Sequence, residues 1–147
     1  MTEFKKHIET NKKAWNKRTP IHIKSNFYNN EEFKKGKNSL KSIELNAIGD
    51  VKEKSLLHLQ CHFGQDSISF ARMGAKVTAV DFSDVAINEA KKISEEINVP
   101  VNFIESNILG LKLNKEFDIV FSSYGAIGWL PDLDKWAATI ATHLKKG

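Results

Sequence analysis

The sequence predicts an α/β domain, a doubly wound parallel sheet with strands in spatial order 3-2-1-4, preceded by a helical N-terminal extension. Three observations carry this. From Ser55 onward, apolar strand-length runs alternate with amphipathic helix-length segments. The first run passes through a tight turn at Gly64 straight into a helix. The second, Val77-Thr78-Ala79-Val80-Asp81, ends in a single carboxylate.

The extension, residues 1–54, has weak helical periodicity. Phe4, Ile8 and Trp15 suit one amphipathic helix, with breaks expected at Thr19-Pro20, Asn29-Asn30 and Gly36-Lys37-Asn38. Beyond it lies an aromatic stretch at Phe27, Tyr28 and Phe33. Ser39 is placed to cap a second helix whose apolar face is Leu40, Ile43, Leu45 and Ile48, ended by Gly49-Asp50. This segment makes a poor core alone and should pack onto residues 55–147.

Residues 55–147 read as strand 55–61, helix 65–73 stopped by Gly74, and strand 76–81. A helix capped by Ser83 runs to Ile97, followed by strands 101–105 and 117–123 and a helix over 132–145. Right-handed crossovers set the first three strands in order 3-2-1, and the fourth joins beside the first. The reversal of direction falls next to Gly64, and open sheets of this kind bind ligands there, at the carboxyl ends of their strands.

Composition narrows the class. The chain has 147 residues, 41% hydrophobic and 27% charged, which suits one ordinary globular domain. No apolar run approaches the roughly 20 residues of a membrane span. The single cysteine, Cys61, rules out an internal disulfide, and the charged start Met1-Thr2-Glu3-Phe4-Lys5-Lys6 does not resemble a signal segment. A cytoplasmic protein is expected. Residues 1–54 hold 13 Lys/Arg against 7 Asp/Glu, and residues 55–147 hold 9 against 11. The lysines are scattered, so they read as a solvated helix surface rather than a nucleic-acid interface.

Asp81 is the clearest site candidate. An acid just past an apolar strand can accept hydrogen bonds from a pair of ribose hydroxyls; the alternative is a turn former ahead of Ser83. His58, Cys61 and His62 could be taken for metal ligands, but on an extended strand His58 and His62 project to one side and Cys61 to the other. No metal is expected.

Five motifs in order carry a resemblance: Leu56-Leu57-His58-Leu59-Gln60-Cys61-His62-Phe63-Gly64, Val80-Asp81-Phe82-Ser83, Phe103-Ile104-Glu105-Ser106-Asn107-Ile108, Phe117-Asp118-Ile119-Val120 and Trp129-Leu130-Pro131-Asp132. Together they resemble the class I, Rossmann-like S-adenosylmethionine-dependent methyltransferases, in the variant whose first motif reads LHLQCHFG. Trp15-Asn16, Phe27-Tyr28 and Ser39-Leu40 resemble the leader of that variant. The resemblance implies methyl transfer from S-adenosylmethionine, with S-adenosylhomocysteine as product. It implies that the turn Gln60, Cys61, His62, Gly64 and Asp66 faces the methionine half. Asp81 would hold the ribose, Phe82 would cover the adenine, and Asn107 and Ile108 would meet the base edge. Ser123, with Ser122 and Tyr124, would flank the methyl donor. The chain departs from the family pattern in three places: His58 replaces an acid, and Gln60 and His62 stand where glycines are usual.

Candidates for an acceptor pocket are Trp15, His22, Phe27, Tyr28, Phe33, Tyr124 and Trp129, and no single residue is singled out as catalytic. The aromatic leader points to a covered pocket and a small-molecule acceptor, with nucleic acid or protein as alternatives. A nicotinamide-dependent oxidoreductase is the rival reading, weakened because the Gly-x-Gly-x-x-Gly fingerprint has one glycine where three are wanted. The sequence ends after four strands, where the family continues into strands 5–7. The expectation is a cofactor-binding part of a longer enzyme, or a chain that covers its sheet edge by self-association.

Overall fold

The computed structural model describes residues 2–147. Its elements are α1 (Glu3–Ile23), α2 (Asn30–Lys34), α3 (Ser42–Ile48), β1 (Ser55–Leu59), α4 (Gln65–Arg72), β2 (Lys76–Asp81), α5 (Asp84–Glu96), β3 (Asn102–Glu105), β4 (Ile119–Ser122) and α6 (Leu133–His143), with a short 3-10 turn at Ile127–Trp129. The sheet is parallel throughout, in order β3-β2-β1-β4, as the crossover argument requires.

Alternation along β1 divides the interior. Leu56 faces a core made with Ile68 and Phe70 of α4, Ile87, Ala90 and Ile93 of α5, and Phe103 of β3. Leu57 and Leu59 face the opposite core, with Val80, Ile108, Leu111 and Phe117, against which Trp136 and Ile140 of α6 pack. Burying both faces explains the unbroken apolar strands.

The extension contributes Phe33, Leu40 and Val51 to the first core. Arg72 fastens it by donating to the carbonyls of Phe33 and Lys37, with its guanidinium 4.5 Å from the centre of the Phe33 ring. Gln65 does the same by donating to the Tyr28 carbonyl and to Asn30 Oδ1.

Several boundaries differ from expectation. Helix α1 does not break at Thr19-Pro20. Pro20 lies in its last turn, where its missing N–H forgoes the bond to the Asn16 carbonyl, and the helix continues for three more residues; fully buried Thr19 beside it donates through its hydroxyl to the Trp15 carbonyl. Ser39 caps no helix: α3 begins at Ser42, and the Ser39 hydroxyl donates instead to Asp66 Oδ1 at 2.6 Å. The expected apolar face of α3 is also rotated, since Ile43 is 68% exposed whereas Glu44 is buried.

Strands β1 and β4 stop at Leu59 and Ser122, short of the expected ends at Cys61 and Ser123, and α6 ends at His143 rather than at Lys145. Leu144 is already extended and forms an isolated parallel bridge with Phe117, just ahead of β4. The bonds Phe117 N–H to the His143 carbonyl and Lys145 N–H to the Phe117 carbonyl close that bridge.

Candidate functional site

The site is built on the turn after β1. Three of its residues have left-handed backbone: Gln60 at φ 58°, His62 at φ 54° and Gly64 at φ 85°. Glycine would be the easy residue at each of these alternate positions, so the bend is retained with Gln and His carrying it. A side chain in this region costs about 1–2 kcal/mol, and each of the two finds contacts that hold it. Gln60 Nε2 donates to the Ala126 carbonyl at 2.9 Å. His62 Nε2 lies 3.0 Å from His22 Nδ1, and its ring stands among Trp15, Tyr28 and Phe63. At Gly64 no side chain fits: a Cβ would come within 2.6 Å of Phe103 Cζ and 3.1 Å of Ala90 Cβ.

Asp81 closes the turn from β2. Its Oδ2 accepts the His62 N–H and its Oδ1 the Ser83 N–H, both at 2.9 Å. The residue is 6% exposed. Burial pushes its carboxyl above the usual range, while the N–H bonds from Ser83 and His62 pull the other way. Each oxygen retains a further lone pair for a ligand. Ser83 also caps α5 through the Ala86 N–H and donates to Asn16 Oδ1 at 2.6 Å. Asn16 in turn donates to Asp84 Oδ1, and Lys12 pairs with Glu105 at 2.7 Å, so α1 is laid across the ends of β2 and β3.

Two cavities open around this turn. The first, about 210 Å³, is lined by Gln60, His62, Asp81, Phe82, Asn107, Ile108 and Ser123, and is roofed by Trp15, Tyr28, Tyr124 and Trp129. Asn107 Oδ1 already accepts the Leu109 N–H, leaving one oxygen lone pair and the amide hydrogens for a ligand. The second cavity, about 570 Å³, takes Cys61 and Gly64 from the turn and Asp66 from the start of α4, together with Phe27 and Phe33 of the leader. Tyr28, His62, Ser123 and Tyr124 stand between the two and line both. His22 lines neither; it supports His62 from behind. Burial raises the Cys61 thiol well above its ordinary value, so it stays protonated.

Sequence reasoning missed Ser39, Glu44 and His58 as walls of the second cavity. Glu44 had a signal: it is one helical turn from Leu40 and from Ile48, an acid set within an apolar stripe. His58 is buried, with Nδ1 2.7 Å from Ser67 Oγ and its ring against Phe121. Among the described residues no cluster of His, Cys, Asp and Glu could hold a metal.

The crevice at the switch point, with an acid after β2 and a strained turn after β1, coincides with a match to a family described as a methyltransferase domain, over residues 56–147. The chain belongs to the methyltransferase-domain family. Among curated relatives, this methyltransferase domain is 40% identical over 70 residues to the mitochondrial ubiquinone biosynthesis O-methyltransferase of Schizosaccharomyces pombe, covering 46% of this chain and 26% of that protein. It is 38% identical over 79 residues to the release factor glutamine methyltransferase of Flavobacterium psychrophilum, covering 52% and 28%. A crystal structure of an S-adenosylmethionine-dependent methyltransferase from Clostridium acetobutylicum superposes with a TM-score of 0.63 at 20% identity, covering 93% of this chain and 54% of that one. The glycopeptide N-methyltransferase MtfA, complexed with S-adenosylhomocysteine, gives 0.64 at 23% identity, covering 71% and 46%. The methyltransferase domain thus spans about half the length of these solved chains and less of the curated relatives.

Proposed function

We propose that this chain binds S-adenosylmethionine in the first cavity and directs its methyl group to an acceptor. The observation that carries the reading is Asp81: a buried carboxylate at the end of β2, held by two backbone N–H groups with a lone pair free on each oxygen, beside a cavity floored by Phe82, Asn107 and Ile108. Those lone pairs fit two ribose hydroxyls. The Phe82 ring and the apolar Ile108 surface fit the flat faces of a purine, and the remaining Asn107 hydrogen-bonding capacity fits its polar edge.

When bound, the cofactor supplies an electrophilic methyl on a sulfonium whose leaving group is built in. The protein's share is alignment and exclusion of water. Trp15, Tyr28 and Trp129 roof the crevice from the extension and from the loop after β4, with the Arg18 guanidinium over the Trp15 and Trp129 rings. Residues 1–54 act as a lid on the core of residues 55–147. A small-molecule acceptor fits this covered geometry better than nucleic acid or protein.

No helix among the described residues is long and apolar enough to cross a membrane. The lone buried thiol is consistent with a cytoplasmic setting. Beyond the Phe117–Leu144 bridge the edge of β4 offers unpaired backbone for self-association.

Calorimetric titration with S-adenosylhomocysteine, with NADH as comparison, tests the reading. Saturable binding of S-adenosylhomocysteine alone is expected; binding of NADH in preference would favour the oxidoreductase alternative and overturn it.

A further inference from the structure

Helix α1 carries a row of charge that the cofactor reading does not use. Counted at about 100° per residue, Lys6, Lys13, Lys17 and Lys24 fall within about 40° of one another on the helix surface. From Lys6 to the C-cap Lys24 the row runs about 27 Å. All four lysines are exposed. Among the described residues, no acid pairs with any of them. Trp15 lies on the opposite side of the helix, against Trp129 and His62, with Asn11 donating to the Trp129 carbonyl and His22 meeting His62. The row therefore faces away from the crevice.

In the sequence these lysines look scattered; the helix lines them up. Residues 3–24 hold seven Lys/Arg against two Glu, a net +5, in a chain whose total is +4. The remainder of the molecule is close to neutral, so one helix accounts for the basic character of the protein. A row of unpaired cations attracts a polyanion.

Two features favour a flat lipid surface over a nucleic-acid groove. Glu3 and Glu9 flank the row, one on each side, about 60° from its centre. The phosphate walls of a groove close around a helix and would meet both acids, whereas a flat surface touches the row first. Ile21 sits between Lys17 and Lys24, four residues after one and three before the other, and is 68% exposed. Phe27, just beyond Lys24, is 82% exposed. Phosphates gain nothing from an isoleucine there, while the boundary between headgroups and acyl chains accepts it.

We propose that the outward face of α1 docks on an anionic phospholipid bilayer, with Lys6, Lys13, Lys17 and Lys24 at the headgroups and Ile21 entering between them. The helix lies along the surface and does not cross it, in keeping with the absence of any membrane-spanning helix among the described residues. Its other face roofs the first cavity, so docking holds the crevice about one helix diameter, roughly 10 Å, from the lipid. This surface is independent of which ligand fills the crevice.

The test is flotation of this chain with phosphatidylcholine vesicles, with and without phosphatidylglycerol, at about 0.1 M and about 1 M salt. Binding should require phosphatidylglycerol and should be lost at the higher salt. Each of Lys6→Gln, Lys13→Gln, Lys17→Gln and Lys24→Gln should weaken it about fivefold, and the four together should abolish it. The same loss of charge at Lys52, Lys54, Lys112 and Lys146, also exposed and outside α1, should leave most of it intact. Ile21→Ser should weaken it about fivefold or more. In the unaltered chain, vesicles should protect the four α1 lysines from acetylation and leave those four controls open, a readout that needs no variant to fold. Equal binding to neutral vesicles, no binding at all, equal loss in the two quadruple variants, or no protection of the α1 lysines would overturn the proposal. So would tighter binding to duplex DNA or single-stranded RNA than to anionic vesicles at the same salt, which would make the row a nucleic-acid contact. Affinity for S-adenosylhomocysteine in solution should be the same in the α1 lysine variants, so failure of the cofactor reading and failure of the docking surface are read separately.

Discussion

His62 Nε2 lies 3.0 Å from His22 Nδ1, with the two rings nearly perpendicular, so one shared hydrogen ties helix α1 to the turn after β1. Both rings are held neutral. Burial lowers His62 to about 3, with the nearby His22 adding to the effect. Burial, and then the Arg18 charge, lower His22. The contact between lid and turn is thus made by uncharged imidazoles.

Acid should weaken the fold through this pair and through His58. Each is an ordinary histidine in the unfolded chain, so below about pH 6.5 the unfolded state takes up protons that the folded state refuses. The contribution of His58 and His62 is complete above that value and drains away as pH falls toward about 3, by at most about 1.4 kcal/mol per pH unit for each ring. Asp66 and Asp81, raised by burial, act in the opposite sense, because they bind protons first in the folded chain. Urea midpoints measured from about pH 8 down to about pH 5 should fall, and should fall less steeply in His62→Gln. Identical slopes in the two proteins would remove His62 from the account.

Asp81→Ala should cost both binding and stability. It strips the partners from two backbone N–H groups, His62 and Ser83, at about 1–3 kcal/mol for each donor left buried. It also removes the hydrogen bonds proposed for the ribose. S-adenosylhomocysteine affinity of the folded fraction should fall by roughly 1.5–3 kcal/mol. Undiminished affinity in a folded variant would show that the ribose rests elsewhere.

Gly64→Ala should be among the most damaging single substitutions. The new methyl must displace the Phe103 ring while sitting at φ 85°. Strain and overpacking together should exceed about 2 kcal/mol. Thermal melting is the direct measure, and Phe103→Leu in the same chain should return part of the loss.

Gln60→Gly should be nearly neutral for stability, within about 1 kcal/mol. It relieves a left-handed side chain and an unpartnered buried oxygen, and gives up one hydrogen bond to Ala126. It also enlarges the first cavity, so S-adenosylhomocysteine should bind at least as tightly as before. A large loss of affinity would assign the Gln60 amide a direct role in holding the ligand.

The order of elements and the sheet topology were legible because burial of both sheet faces writes continuous apolar strands, and because crossover handedness leaves one arrangement. The crevice was legible from Gly64 and Asp81. What the sequence did not reveal depended on side chains meeting across the fold. Nothing local marks Ser39 as a partner of Asp66 rather than a cap, since both uses ask for the same hydroxyl. Pro20 reads as a stop, yet α1 continues past it to Ile23, beside the buried Thr19. The conformation of Gln60 and His62 was hidden because residue type argues against positive φ there, and only the surrounding contacts of Ala126 and His22 make it tenable.

That turn has a consequence for how such a domain can diversify. Where glycines line the bend, a visitor meets bare peptide and the pocket has little to vary. Here the curvature persists while two side chains are mounted on it, one reaching the segment after β4 and the other the N-terminal helices. Exchange at positions 60 and 62 would therefore re-cut what the crevice admits and leave the sheet beneath untouched. Architecture and selectivity, fused in a glycine turn, are separately tunable in this chain.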